Sequence, residues 1–524
     1  MHLFLKIVVT ASIIRSCIPY IMVGVLCATN GTTSGSDAPV INYEQWFTAM
    51  IQNEPSGWLH ITEIHTGDRI ETIENTQISL RRGSLLMTIT MTERFNETID
   101  GTPIEAHGSQ TLSGVKTFGK MQFTKDTITY TTGHGRQSRS VTTDRQGSDW
   151  LPPAAANRFL RDHLSAGSEM IEYQRISPLW GPQPTTTRHQ ILGAQQIEVM
   201  GRFVPAVEIK TTNSSTPGIT TRDFVDASGR ILKMSMNIGL WNIDMVASDQ
   251  QLAQGHINPP EFMTGTFIKA DHQIIRPREI RSALYEIQVK GLPTESSQKE
   301  RQIILPLSGY QRVVSTVEDR IQVKVDTNHL EKNSPAPPDH TFRDPSTMID
   351  WDDPIISSLL AQAIDREDMA AENNRNTAQK LCRFVHGYID KRDLSVGFAS
   401  AGEVARTRRG DCTEFAVLLA SLLRAINIPS RIASGLVYAD QFMGHRHIFG
   451  YHMWTQAWIG GKDGCWIDFD AALNPNQFDA THIGITTSSL ADGQYTNDLV
   501  RMAPILGRIN VKILKLQGNS VDAN

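Results

Sequence analysis

The sequence predicts a multidomain chain: a β-rich barrel or large curved sheet, then a small β-sandwich, then an α+β core. Three observations carry this. Apolar and polar residues alternate with period two over residues of about 40–250, the mark of half-buried antiparallel strands. Three prolines in four residues, Pro335, Pro337 and Pro338, form an extended spacer. Beyond that spacer the apolar spacing becomes helical and then returns to strands.

The elements follow in order. Met87, Ile89 and Met91 interleave with Thr88, Thr90 and Thr92, and Met121 with Phe123, Ile128 with Tyr130 and Val207 with Ile209 repeat the pattern. Asp226-Ala227-Ser228-Gly229-Arg230 reads as a turn between two strands. A helix over Pro153–His163 interrupts the run. Between 258 and 330, Tyr285, Ile287 and Val289, then Ile321, Val323 and Val325, alternate with polar residues and predict the sandwich. Asp353-Pro354 is an N-cap followed by a first-turn proline, starting a helix to about Ile364. Ala378, Leu381, Val385 and Ile389 share one face of the next helix, and Ser400 with Glu403 caps a short third one. Phe415, Leu418, Leu419, Leu422, Leu423 and Ile426 mark a fourth, which begins at Cys412. Strands are expected at Arg431–Tyr438, His452–Ile459 and Cys465–Phe469, and a last one at Ile509–Leu516. The expected divisions are therefore a leader at 1–28, a β-rich domain at 29–255, the sandwich at 256–332, a linker at 333–344, the core at 345–495 and a terminal strand and tail at 496–524.

Composition narrows the function classes. A 524-residue chain with net charge −5 and no long basic run gives no reason to expect nucleic-acid binding. Residues 1–28 read as a secretory signal, with Lys6 and Arg15 ahead of the apolar run Cys17–Ala28. The competing reading is an N-terminal membrane anchor, although Arg15 would then lie in mid-membrane. A secreted or periplasmic protein with no stable span in its mature form is expected. Of five cysteines, Cys382, Cys412 and Cys465 would survive removal of the leader. An odd number implies a free thiol, and Cys382 and Cys465 are open to pairing or to burial as two thiols.

The chemistry concentrates late in the chain. Gly410-Asp411-Cys412-Thr413-Glu414 places a cysteine in the first turn of a helix, where free N–H groups and the helix dipole favour a thiolate. His452 and Asp470 follow in that order. A thiol nucleophile needs an imidazole to take its proton and a carboxylate to orient that imidazole. Asp468, two residues before Asp470, is the rival acid, so the expected geometry is Cys412 against one ring nitrogen of His452 and Asp470 against the other. His445, His447 and His452 form a histidine cluster on what reads as a mobile loop, but no Cys pair or carboxylate completes a metal site. No metal and no cofactor are expected.

This pattern resembles the transglutaminase-like superfamily of cysteine enzymes. Residues 410–425 look like its nucleophile helix. Asn427-Ile428-Pro429-Ser430-Arg431 looks like its Gly-Ile-Pro-Ala-Arg turn, with Asn427 where Gly is usual. His452-Met453-Trp454-Thr455-Gln456 looks like its His-x-Trp-x-Glu strand, with Gln456 for Glu, and Trp466–Leu473 like its Trp-x-x-x-Asp strand. The resemblance spans roughly Thr377–Leu473. It implies a papain-like α+β core in which Cys412, His452 and Asp470 are catalytic. It further implies thioester chemistry on a peptide or glutamine amide, with hydrolysis favoured over transfer, and a protein, peptide or cell-envelope partner. A binding module on the same fold and a true protein cross-linking enzyme are the alternatives.

Overall fold

The computed structural model describes residues 38–518 apart from 84, 113–114, 135–136, 146–148, 217, 291–304, 332–336, 366, 368–374, 393–398, 493–501 and 503–504. The leader, with Cys17 and Cys27, lies outside the described residues, as do part of the proline spacer and the last six residues. The chain divides into two compact units: one holds residues 38–81 and 86–260, and the other 82–85 with the chain from Glu261 onward.

The first unit is one antiparallel sheet of fourteen strands among the described residues. Neighbours in sequence are mostly neighbours in space, because short turns join each strand to the next. The two halves of the meander meet where Val40–Ile51 pairs with Trp241–Ser248, Phe47 opposite Ala247 and Ile51 opposite Ile243. The expected alternation is present: Met87, Ile89 and Met91 are buried on Leu85–Thr98 while Thr90 is exposed. The sheet is curved. Ile176, near one edge, joins Phe95, Met121 and Trp150 from the other half in one apolar cluster, and the Ser177 hydroxyl donates to Glu93 at 2.7 Å. The interrupting helix runs Pro153–Ser165, and the Glu97 carboxylate accepts its first free N–H groups, from Ala154 at 2.9 Å and Ala155 at 3.0 Å.

In the second unit, the strands expected as a small sandwich form one four-stranded sheet, in the order Gln311–Val317, Arg320–Asp326, Ile280–Val289, Ile509–Gly518. The predicted terminal strand supplies its edge, with Tyr285 opposite Ile513.

The α+β core follows. Helices Pro354–Ala363, Arg375–Tyr388, Ala401–Thr407 and Cys412–Ala425 precede an antiparallel sheet. In that sheet Ser430–Phe442 lies between His482–Ser488 and the long strand His445–Ile459, whose far side takes Cys465–Phe469. The caps read from sequence are present: Asp353 accepts from the Ile355 N–H and Ser400 from that of Glu403. Leu418, Leu419, Leu422 and Leu423 of the Cys412 helix are fully buried. The segment expected as a mobile loop is ordered strand: His445–Ile459 begins at His445, which pairs with Phe442 across a tight turn at Met443 and Gly444, both with positive φ. Among the described residues no helix is long and apolar enough to cross a membrane.

Candidate active site

Cys412 is the first residue of its helix and is half-buried. Asp411 caps that helix, accepting the Thr413 N–H at 3.0 Å, while the Glu414 carboxylate reaches back to the Asp411 N–H at 2.9 Å. Gly410 makes this reciprocal cap possible. Its φ is +155°, and a Cβ there would stand 2.2 Å from Glu414 Cβ. Glu414 also accepts the Ala399 N–H at 3.1 Å; its carboxyl is raised well above its ordinary value, by burial first and by Asp411 second. The sequence thus builds a reciprocally capped helix start that holds Cys412 at the positive end of the helix dipole.

His452 lies on His445–Ile459, opposite Gly435. Two hydroxyls tie this strand to the cysteine helix: Thr455 donates to Ala416 O at 2.9 Å, and Thr413 to Met453 Sδ at 3.4 Å. Gly435 has to be glycine, since a Cβ would stand 2.0 Å from Ile483 O on the neighbouring strand.

The structure brings the three sequence-predicted residues together. His452 Nε2 is 2.9 Å from Asp470 Oδ2, and the Cys412 side chain is near enough to the imidazole to raise its proton affinity. With Nε2 taken by Asp470, Nδ1 is the nitrogen open to the thiol. Both His452 and Asp470 are buried. Burial alone would lower the proton affinity of His452, but the Asp470 charge, the Cys412 charge and hydrogen bonds to both outweigh it and raise its pKa to about 9. Asp470 is held well below its ordinary value: burial opposes this, and His452 and His482 overcome it. Its second oxygen, Oδ1, accepts the N–H groups of Ala472 at 2.8 Å and Leu473 at 3.3 Å.

Asp468 is engaged elsewhere. It sits on Cys465–Phe469 directly opposite Gln456 and accepts from Trp454 Nε1 at 2.7 Å and from Gln456 Nε2 at 2.5 Å. Gln456 in turn accepts from Arg431 Nε at 2.7 Å, so its amide links a carboxylate to a guanidinium. Asn427 holds a left-handed φ of 62°, a conformation that Asn tolerates.

Sequence reasoning missed His482. It begins the strand His482–Ser488, and its Nε2 is 3.1 Å from the same Asp470 oxygen that meets His452. No local pattern marks it; it arrives only because that strand pairs with Ser430–Phe442. The candidate ligand atoms of His452, Asp470 and His482 lie within 4.8 Å of one another. The two rings and the carboxylate already hydrogen-bond one another, so a cation would have to break both His–Asp bonds. Cys382 and Cys465 are free, buried thiols, and burial first, then Asp470, pushes the Cys382 thiol up.

A thiol beside an imidazole that is itself held by a buried carboxylate can pass its proton to the ring and attack an electrophilic carbon. Residues 360–471 match the family model of the transglutaminase-like superfamily. This segment is a transglutaminase-like domain. Three solved structures are similar to the chain. One is described as a putative cysteine protease from Cytophaga hutchinsonii, at 16% identity over 46% of this chain and 85% of that one, TM-score 0.26. Another is a β-barrel-like protein of a domain of unknown function, DUF1849, from Brucella abortus, at 11% identity over 39% and 95%, TM-score 0.29. A third is described as a putative protease from Parabacteroides distasonis, at 11% identity over 71% and 68%, TM-score 0.15. No curated protein matches the chain. Cys412, His452 and Asp470 all fall inside the transglutaminase-like match, whereas Asp479 and His482 lie beyond it.

Proposed function

We propose that the protein is a secreted or periplasmic cysteine enzyme that opens amide bonds of peptide or glutamine side-chain type through a thioester on Cys412. The observation that carries this is the Cys412 thiol at the start of its helix beside His452, whose Nε2 is held by the buried Asp470 at 2.9 Å. The Cys412 thiolate adds to the amide carbonyl carbon. The developing oxyanion takes a hydrogen bond from the Cys412 backbone N–H, free because it opens the helix. The carbon–nitrogen bond breaks as the His452 imidazolium gives its proton to the departing amine, leaving a thioester. Water then attacks the thioester carbon, His452 takes the water's proton, and the thiolate departs with the acid released. The reading favours water over an amine as acceptor.

The test is a glutamine-containing peptide library incubated with the protein, with and without a primary amine, and analysed by mass spectrometry. The wild type is expected to give hydrolysed products and Cys412→Ala none. Unchanged turnover by Cys412→Ala removes the proposal, and incorporation of the amine in place of water makes the enzyme a transferase.

A further inference from the structure

On the far side of Asp470 stand two buried groups, His482 and Asp479, that a Cys–His–Asp mechanism leaves unused. His482 Nε2 meets Asp470 Oδ2 at 3.1 Å. Its other nitrogen, Nδ1, lies 3.3 Å from Asp479 Oδ1 and 3.2 Å from Asp479 O. Both ring nitrogens therefore face acceptors. A neutral imidazole has one N–H and can satisfy only one side, whereas the imidazolium has two. Asp479 is tied down in turn. Its Oδ1 accepts the Thr481 N–H at 3.0 Å, and its Oδ2 pairs with Arg278 Nη1 at 3.0 Å. Phe478 and Trp454 pack against the His482 ring, at 4.4 and 5.3 Å between centroids.

The result is a row of alternating sign, buried from Asp479 to His452 and half-buried at its two ends: Arg278, Asp479, His482, Asp470, His452, Cys412. We propose that His482, fixed by Asp479, is a positioning residue of the active site: a standing imidazolium that shares one oxygen of Asp470 with His452 and so makes His452 a readier proton donor. The inference rests on Cys412 and His452 being the reactive pair.

The physical argument concerns the charge on Asp470. A lone buried carboxylate beside His452 would bind the His452 proton strongly, and a base that cannot release its proton cannot protonate a leaving amine. A second imidazolium on the same oxygen draws off part of that attraction and repels the His452 charge across 5.7 Å between ring centroids. His482 also keeps Asp470 ionised and oriented through each proton transfer. The groups facing His482 are Asp470, Asp479 and His452. Beyond them lie Cys412 and Cys382 on the Asp470 side, and Arg278, Arg281 and Tyr285 on the Asp479 side. Asp468 turns away toward Trp454 and Gln456. The pKa of His482, raised to about 9, agrees: burial would lower it, and Asp479 and Asp470 reverse that.

The test is the pH profile of iodoacetamide alkylation of Cys412 in the full chain, read by mass spectrometry from pH 5 to 11. The upper limb of the profile reports loss of the His452 proton. In His482→Gln the cation is gone while an amide donor to Asp470 remains, and the upper limb is expected to rise by about one to two pH units. Asp479→Asn, which lets His482 lose its proton earlier, is expected to move it in the same direction by less. A merely structural histidine would lower the yield of folded protein without moving the limb. Nitrogen NMR of the histidine rings in the unmodified protein gives a readout independent of folding defects in the variants. Both His482 nitrogens are expected at imidazolium shifts at pH 7 and still at pH 8. A neutral His482 at pH 7, or an unmoved limb in folded His482→Gln, overturns the inference. A wild-type Cys412 that alkylates as an ordinary thiol overturns the proposed function instead, and the NMR then still reports on His482.

Discussion

Replacing Asp470 by Asn removes its charge and turns the position that meets both rings from acceptor to donor, while the amide oxygen can still accept the Ala472 and Leu473 N–H groups that now bond Oδ1. The size of the loss follows from the geometry. His452 and Asp470 are 2.9 Å apart and buried, and unit charges about 4 Å apart at an effective dielectric of about 20 interact by about 4 kcal/mol. The rise of the His452 pKa from 6.5 to about 9 corresponds to about 3 kcal/mol by an independent route. Without that charge, burial wins, the ring stays neutral at pH 7, and the thiol keeps its proton. Cys412 alkylation at pH 7 is expected to fall by about thirtyfold, to the rate of an ordinary thiol of pKa about 8.5. The His452 proton affinity falls here and rises in His482→Gln, so the two variants separate the roles of the two partners of one oxygen. The assay is the rate of carbamidomethylation of Cys412, with buried Cys382 and Cys465 as controls for unfolding. A folded Asp470→Asn protein that alkylates within about threefold of wild type would refute the reasoning.

Other consequences concern stability. His452 and His482 each titrate at about 9 when folded against 6.5 ordinarily, so the folded chain binds more protons between those values. Their stabilisation is full below pH 6.5 and is lost as pH rises to about 9, which thermal melts across that window should show as a falling Tm. Asp470 and Asp479 act the other way: their stabilisation is present above pH 3.8 and lost as pH falls below it, so the Tm should also drop in strong acid. In the β-rich unit, burial raises Asp223 from 3.8 to about 7, the Thr211 hydroxyl offsetting only part of this. Asp223→Asn should therefore be near neutral at pH 4 but stabilising by up to about 4 kcal/mol at pH 8, and equal melts of the two proteins at pH 8 would contradict the burial argument. Gly410→Ala forces a methyl into Glu414 and should cost about 1–3 kcal/mol together with most of the Cys412 alkylation rate, both read on one sample.

The residues that were legible in the sequence are those whose signal is local. Cys412 announces itself by the capping residues around it and the apolar spacing after it, whereas Asp470 stands out by the resemblance of Trp466–Leu473 to the family's Trp-x-x-x-Asp strand. Asp468 and Asp470 could be told apart only in three dimensions: Asp468 lies in register with Gln456, whereas Asp470 lies just past the strand end and faces His452. His482 had no local signal at all, since it reaches the site through pairing of its strand with Ser430–Phe442. The same limit applies to the sheets. Alternation revealed strands, but not that Val40–Ile51 would pair with Trp241–Ser248, or that Ile509–Gly518 would close the sheet begun at Ile280. The His445–His447 segment read as a loop because of its polar residues and Gly444, whereas Met443 and Gly444 form a tight turn that lets both flanks pair.

The central claim is that Cys412 is the nucleophile and that His452, held by Asp470, takes its proton. The most direct measurement is the rate of Cys412 alkylation in the wild-type protein at pH 6 and at pH 8. The account predicts rates within a few-fold of each other, since His452, raised to about 9, is protonated and beside the sulfur at both. A rise of about a hundredfold between the two, as an ordinary thiol of pKa about 8.5 would give, would contradict it.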